Sequence, residues 1–120
     1  MTNLMIIKII AAVASILFGV VALLMPKRTA DAAFLKADTK EGEAEIRASW
    51  GGLFIGLGIA VLYLNTDDAY FVFGIAYAIT ALVRSGTWIR DRSLVNRTSA
   101  MIMGFEVISA IIFALPGELF

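Results

Sequence analysis

The chain has 120 residues, of which 60% are hydrophobic and 17% are charged. A soluble domain is typically about half apolar and a quarter charged, so this composition favours a membrane protein. The absence of cysteine excludes a disulfide framework and thiolate metal sites, and the absence of histidine removes the commonest general base. Ten basic side chains balance ten acidic ones, which argues against a nucleic-acid partner.

Four apolar blocks follow one another along the chain. They lie at about residues 4–25, 48–64, 69–89 and 98–115. An α-helix rising 1.5 Å per residue needs about 20 residues to cross the hydrocarbon core of a bilayer, and each block approaches that length. The sequence therefore predicts an all-α fold, an integral membrane four-helix bundle that forms a single transmembrane domain over residues 1–120.

The polar segment before the second block contains the signals of a helix start. Asp38 and Glu41 have the spacing of an N-cap and an N3 residue, which predicts a helix that begins near Thr39 and runs into the second span. On that helix Glu43 and Arg47 would form an i,i+4 ion pair.

The charges predict the orientation of the four spans. An even number of spans places both termini and the middle turn on one side, and the loops 26–47 and 90–97 on the other. Nine of the ten cations belong to the loop side and one, Lys8, to the terminal side. The positive-inside rule then predicts cytoplasmic loops and periplasmic termini in a bacterial inner membrane. Lys8 is expected to snorkel outward, toward Asp67, Asp68 or Glu118.

Small residues recur at four-residue spacing in the spans, as in membrane helices that pack closely. The residues predicted to pack are Ser15, Gly19, Gly52, Gly56, Ala60, Gly74 and Gly104. A hinge or a ligand groove is the functional alternative for this glycine content. The same faces would also serve a homo-oligomer, which the sequence does not separate from packing within one chain.

Charged residues inside spans are costly, so each requires a partner or a function. Arg84 and Glu106 lie in the third and fourth blocks, and Glu45 and Arg47 lie at the entrance of the second. We predict that these four residues form a polar cluster, with Ser109 as an additional hydrogen-bonding group. The cluster is either an ion-pair network that fixes helix register or the floor of a cavity for an anionic headgroup or small polar ligand.

The motif around the second span resembles a known family. Glu45-Ile46-Arg47-Ala48 is followed by Gly51-Gly52 and a glycine-rich span, as in a family of small four-span bacterial inner-membrane proteins of unassigned function. The resemblance covers nearly the whole chain, and it implies that the Glu45, Arg47, Arg84 and Glu106 positions belong together. The chain departs from the family at Trp50, where tyrosine is more frequent. A looser likeness to DoxX-type four-helix membrane proteins rests on architecture alone.

Three functions are consistent with these patterns. The first is a non-enzymatic membrane protein that forms oligomers or serves as an accessory subunit of a larger membrane complex. The second is a binder or carrier of a lipid or small amphiphile at the polar cluster. The third is an enzyme with Glu106 as its base, which is least favoured because the sequence offers no nucleophile with its base. Membrane lipids and other membrane subunits are the expected partners, and neither a metal nor a cofactor is expected.

Overall fold

The computed structural model describes residues 2–119, which are helical and contain no β-strand. The helices are α1 (Asn3–Leu24), α2 (Pro26–Ala32), α3 (Lys40–Ile46), α4 (Leu53–Leu64), α5 (Asp67–Arg90) and α6 (Arg97–Ala114). A π-helical segment, Arg47–Gly52, joins α3 to α4 in one continuous helix. Short 3-10 turns cover Arg92–Leu94 and Gly117–Leu119.

Four helices are long and apolar enough to cross a membrane. They are α1, the continuous helix Lys40–Leu64, α5 and α6. The four predicted spans are therefore confirmed, and by length and composition the chain is a multi-pass membrane protein. The second span begins at Lys40 rather than near residue 48, because α3 and the π-helical segment continue directly into α4. The predicted loop 26–47 thus contains two short helices.

The start of α3 confirms one expectation and corrects another. The helix begins at Lys40, as predicted for a start near Thr39 that runs into the second span. The N-cap, however, is Thr39, whose Oγ1 accepts a hydrogen bond from the backbone N–H of Gly42 at 2.9 Å. The prediction of Asp38 as the cap is wrong by one residue, because the hydroxyl of Thr39 already satisfies the free N–H of the first turn.

Side-chain caps also set the starts of α5 and α6. Thr66 Oγ1 accepts from the N–H of Ala69 at 3.2 Å, and Asn96 Oδ1 accepts from the N–H of Ser99 at 2.9 Å. Each cap satisfies an N–H that has no partner inside its helix. Polar caps therefore end the connectors on both sides of α5 and fix where these two spans begin.

The described chain packs as two compact units. One unit is Ile9–Leu64, and the other combines the residues up to Lys8 with those from Asn65 onward. α1 contributes to both units, since its residues up to Lys8 belong to the unit that contains α5 and α6, and the rest of it belongs to the unit Ile9–Leu64. The predicted four-helix bundle concerns the arrangement of the two units and stays a prediction.

Within the unit Ile9–Leu64, α1 runs antiparallel to the continuous helix Lys40–Leu64. Gly19 lies against Gly51, so that a Cβ added to Gly19 would come within 2.8 Å of the Gly51 carbonyl oxygen. Further along the pair, a Cβ on Gly58 would overlap the side chain of Ile16. Ser15, on the same face of α1, is 1% exposed. The predicted packing roles of Ser15 and Gly19 agree with this arrangement.

Four other predicted packing residues make no close helix contact within their own unit. A Cβ added to Gly56 or Gly104 would meet nothing within 4 Å, and one added to Gly52 would reach only the carbonyl oxygen of Arg47, at 4.0 Å. Ala60 is exposed. Gly52, Gly56 and Ala60 lie away from α1 because Gly51 and Gly58, on the opposite face of their helix, contact it. The packing of these four residues stays a prediction.

In the other unit, α5 and α6 form an antiparallel pair. Gly74 lies against the end of α6, where an added Cβ would come within 2.9 Å of the Ala114 backbone nitrogen and 3.2 Å of the Ala110 carbonyl oxygen. Backbone atoms cannot move aside as a flexible side chain can, so this position requires glycine. The predicted packing role of Gly74 agrees with this contact.

Candidate functional site

A bidentate ion pair joins α5 to α6. Arg84 Nε donates to Glu106 Oε1 at 2.8 Å, and Arg84 Nη2 donates to Glu106 Oε2 at 2.8 Å. The two planar groups meet in parallel, which is the strongest geometry available to an arginine and a carboxylate. The structure therefore brings together two of the residues that the sequence singled out.

The pair lies well inside the spans. Arg84 is six residues before the end of α5, and Glu106 is nine residues after the start of α6. At the rise of an α-helix these separations are about 9 Å and about 14 Å, and the long arginine side chain covers the difference. The side chain of Glu106 is 8% exposed and that of Arg84 is 32% exposed. The carboxylate is thus enclosed by protein, whereas one side of the guanidinium is open.

Three neighbouring polar or sulfur-containing side chains belong to the same helix pair. Ser85 Oγ donates to the carbonyl oxygen of Ala81 at 2.9 Å and lies 3.9 Å from the sulfur of Met103. Ser109, which was predicted to belong to the cluster, is 5% exposed on α6, one turn beyond Glu106.

Glu45 and Arg47 lie in the other unit. Arg47 Nε donates to the carbonyl oxygen of Leu23 at 3.1 Å, in the last turn of α1, where a cation is favourable at a helix C-terminus. The expected pair with Glu43 is wrong: among the described residues the ion pairs are Lys8–Asp67 and Arg84–Glu106. A single cluster of Glu45, Arg47, Arg84 and Glu106 would join both units, and it stays a prediction.

A π-helical segment begins at Arg47. It covers Arg47–Gly52, where each turn of the helix holds more residues than an α-helical turn. Trp50 in the same segment packs against Phe18, with 5.9 Å between the ring centroids. Phe18 also meets Phe54 edge to face at 5.0 Å. A π-helical turn has no clear signal in a single sequence, so this segment could not be predicted.

Lys8 forms a second buried charged site. It donates from Nζ to the backbone carbonyl oxygens of Phe113, at 3.3 Å, and of Leu115. Asp67 Oδ1 lies 3.5 Å away, and the ring centroid of Tyr70 lies 5.5 Å away. The expected contact with Asp67 is confirmed, and Lys8 makes it inside the protein, since its side chain is 0% exposed.

The end of α6 explains why Lys8 turns inward. Pro116 lacks an N–H and disfavours helical backbone at Leu115, so α6 ends and its last carbonyl oxygens have no donors within the helix. Asp67 Oδ1 further accepts from the backbone N–H of Gly117 at 3.0 Å. The ammonium of Lys8 therefore stabilises the negative end of the α6 dipole. Pro116 was the sequence signal that could have predicted this contact.

Stacked aromatic rings lie between the two charged sites. Phe113 stacks on Phe73 at 4.9 Å, and it stacks on Tyr70 and Tyr77 at 5.9 Å each. Arg84 follows Tyr70 by 14 residues on α5, which is about 21 Å along a helix. These rings fill the interior of the α5–α6 pair, so Lys8 and the Arg84–Glu106 pair are separate sites.

In the connector between α5 and α6, two hydrogen bonds lower the pKa of Asp91. Ser93 donates to Asp91 Oδ1 from its hydroxyl, at 2.6 Å, and from its backbone N–H, at 3.0 Å. Both hydrogen bonds favour the charged carboxylate and lower the pKa of Asp91 below its ordinary value. Asp91 thereby caps the 3-10 turn Arg92–Leu94.

Comparison of the chain with protein-family models, with curated proteins and with solved structures finds no match. The family resemblance of the Glu45–Ala48 motif and the likeness to DoxX-type proteins therefore stay predictions.

The chemistry available to the candidate site follows from its hydrogen bonds. Both oxygens of Glu106 accept from Arg84, so the carboxylate is held in a fixed orientation. The pair uses two of the five guanidinium N–H groups of Arg84, which leaves three for other acceptors. Such a site holds two helices in register and leaves Arg84 able to contact one anionic group.

Proposed function

We propose that this chain is a small non-enzymatic membrane protein that associates with itself or with other membrane subunits through its second span. The observation that carries the proposal is a line of four exposed small residues on the helix Lys40–Leu64. They recur at four-residue spacing and are Ala48, Gly52, Gly56 and Ala60.

This line of residues differs from the other outward surfaces of the chain. Exposed positions on α5 carry large apolar side chains, such as Val72 and Leu82, which suit contact with lipid. In contrast, Gly56 leaves the helix backbone open, with nothing within 4 Å of an added Cβ. Membrane helices associate through small residues because these let two backbones approach closely. The face defined by Ala48, Gly52, Gly56 and Ala60, the small-residue face, is therefore suited to a second helix.

The buried charges support a structural role over catalysis. Glu106 is the intramembrane carboxylate that the sequence offered as a base, and Arg84 occupies both of its oxygens. Lys8 donates to the carbonyl oxygens that end α6. The charged groups of both sites therefore bind neighbouring helices to each other.

We further propose that the connectors 26–47 and 90–97 face the cytoplasm of a bacterium, with both termini in the periplasm. Eight of the ten cations lie in these connectors and a ninth, Arg84, lies in the adjoining half of α5, so the positive-inside rule favours this orientation in the inner membrane.

Cross-linking through single cysteines tests the association, and the natural chain has no cysteine to interfere. Gly56→Cys or Ala60→Cys in native membranes should give disulfide-linked dimers under mild oxidation. Gly86→Cys is the matched control, because Gly86 on α5 also has nothing within 4 Å of an added Cβ. Equal cross-linking at all three positions, or at none, would contradict self-association through the small-residue face.

A companion variant separates self-association from assembly with other subunits. Gly56→Leu fills the small-residue face, and it should abolish the dimer while leaving the helix content unchanged. If the natural chain purifies with a stoichiometric second protein that Gly56→Leu loses, the chain is an accessory subunit. If neither a dimer nor a partner depends on Gly56, the proposal fails.

The open side of Arg84 favours a second candidate, a binder or carrier of a lipid or small amphiphile. Its side chain is 32% exposed beside a nearly closed Glu106, so N–H groups remain for an anionic headgroup. Native mass spectrometry should then detect a retained small molecule on the natural chain but not on Arg84→Lys. Lysine keeps the positive charge but lacks the planar guanidinium that can make two parallel hydrogen bonds. Equal retention by both would reject this candidate.

A further inference from the structure

The segment between α1 and α3 has two sides of different character. Pro26, Thr29 and Ala30 are buried on one side of α2, and Ala37 is 3% exposed after it. Thr29 Oγ1 also donates to the carbonyl oxygen of Met25 at 2.8 Å, which ties α2 to the end of α1. These contacts hold the segment against its own unit and determine which side chains face outward.

The outward side combines cations with large apolar side chains. Phe34 is 62% exposed and Leu35 is 47% exposed. Lys27, Arg28 and Lys36 are exposed beside them. We call these five residues the interfacial surface. With Asp31 as the acid within the same stretch, residues 26–36 carry three positive charges against one negative charge.

Phe34 adopts a left-handed backbone conformation, which is unfavourable for a residue with a Cβ. Its φ is 65°, in the left-handed region, and α2 ends there in a Schellman motif. The N–H of Leu35 donates to the Ala30 carbonyl oxygen at 2.8 Å, and that of Phe34 donates to the Asp31 carbonyl oxygen at 3.0 Å. Glycine is the usual residue at this position because a Cβ is disfavoured there. The motif therefore presents a large apolar ring, 62% exposed, at a position where glycine is usual.

The position of the segment identifies what lies there. It joins the end of one membrane-crossing helix, at Leu24, to the start of the next, at Lys40. The headgroup layer is about 5–7 Å thick on each side of the hydrocarbon, so a segment held against the ends of two spans lies at that depth. Apolar side chains such as phenylalanine and leucine insert just below this layer, and cations favour the anionic headgroups within it.

We propose that the interfacial surface binds anionic lipids, with Phe34 and Leu35 inserted below the headgroups and the three cations against the lipid phosphates. This surface is distinct from the small-residue face and does not depend on self-association. It provides a lipid-selective anchor where the first two spans leave the bilayer.

The depth of the surface is tested with a reporter at Leu35. The full chain carrying Leu35→Cys is labelled with an environment-sensitive fluorophore and placed in vesicles of phosphatidylcholine with phosphatidylglycerol. We expect quenching by brominated acyl chains and several-fold protection from aqueous iodide. The matched control is Asp38→Cys, an exposed position beyond buried Ala37, which should show the reverse. Equal access of iodide to both labels would overturn the proposal.

Lipid selectivity is tested by removing charge. A triple variant changes the three cations of the interfacial surface to glutamine, and the enrichment of phosphatidylglycerol over phosphatidylcholine in co-purified lipid is measured. Each cation near an anionic surface contributes roughly a fivefold change in binding, so the enrichment should fall by at least that factor. The control removes the same charge from the other connector, where the exposed arginines are Arg90, Arg92 and Arg97.

The two triple variants separate the possible outcomes. A larger loss of phosphatidylglycerol from the interfacial triple than from the control supports the proposal. Equal losses from the two variants would mean that net charge alone recruits the lipid. No loss from the interfacial triple would mean that its cations do not contact the lipid. Either result overturns the proposal. If the triple variant fails to fold, Lys36→Gln replaces it, because Lys36 is exposed and follows the Schellman motif.

Discussion

Separating Arg84 from Glu106 should destabilise the chain by different amounts depending on which partner is changed. Arg84→Gln leaves a carboxylate that is 8% exposed without its cation. Removing one partner of a buried pair in this way costs about 3–5 kcal/mol. Glu106→Gln leaves a guanidinium that is 32% exposed on a long side chain, and the glutamine oxygen still accepts one hydrogen bond. The loss of one charge-assisted hydrogen bond there is expected to cost about 1.5 kcal/mol.

The double variant Arg84→Gln/Glu106→Gln tests whether the two residues act as a pair. It removes both charges together and allows the two amides to hydrogen-bond, so it should cost less than the sum of the single changes. A coupling free energy of about 2 kcal/mol is expected from residues in direct contact.

The assay is reversible unfolding of the full chain in mixed micelles, followed by circular dichroism, with Arg90→Gln as the control. Arg90 ends α5 and is exposed, so its loss should change the unfolding free energy by less than about 0.5 kcal/mol. Equal costs for the two single variants, or costs that add in the double variant, would refute the argument from burial.

Four other outcomes follow from the structure. Gly74→Ala should destabilise the chain because the added Cβ meets backbone 2.9 Å away, whereas Gly86→Ala, in open space, should stabilise α5 by about 0.5–1 kcal/mol; thermal unfolding of the two variants measures the contrast. Lys8→Met should cost about 2–3 kcal/mol in the same assay, since the carbonyl oxygens that end α6 lose their donor, and unchanged stability would count against the contact. Phe34→Gly should raise the unfolding free energy in detergent by about 1 kcal/mol by relieving the left-handed backbone, and a lower value would show that the ring packs on the protein. The carboxyl of Asp91 should titrate below 3.8 by NMR; because this pKa is lowered, its contribution to stability is present above 3.8 and is lost as the pH falls through the folded value.

Local patterns in the sequence were sufficient for several features. The length of the apolar blocks predicts the four spans because the bilayer sets a minimum helix length. The start of α3 near Thr39 follows from cap chemistry within four residues of chain. Arg84 and Glu106 were paired because a charge inside a span needs a partner and few partners were available.

Only the tertiary structure shows which face of each helix contacts a neighbouring helix. Gly51 and Gly58 contact α1, whereas Gly52 and Gly56, one and two residues away, do not. Spacing alone treats these two faces as equivalent, since both are small and apolar. Arg47, at the start of the π-helical segment, donates to the end of α1, a contact that spacing within its own helix does not predict.

The sequence by itself therefore determined which segments are helical, which of them span a membrane and which charges need partners, because these depend on length, composition and short-range capping. Only the tertiary structure decided which glycines pack, that Lys8 donates to the carbonyl oxygens that end α6, and that Phe34 is held in a strained and exposed turn. These features depend on which backbones approach each other, and contacts such as Lys8 with Leu115 join residues that are distant in the sequence.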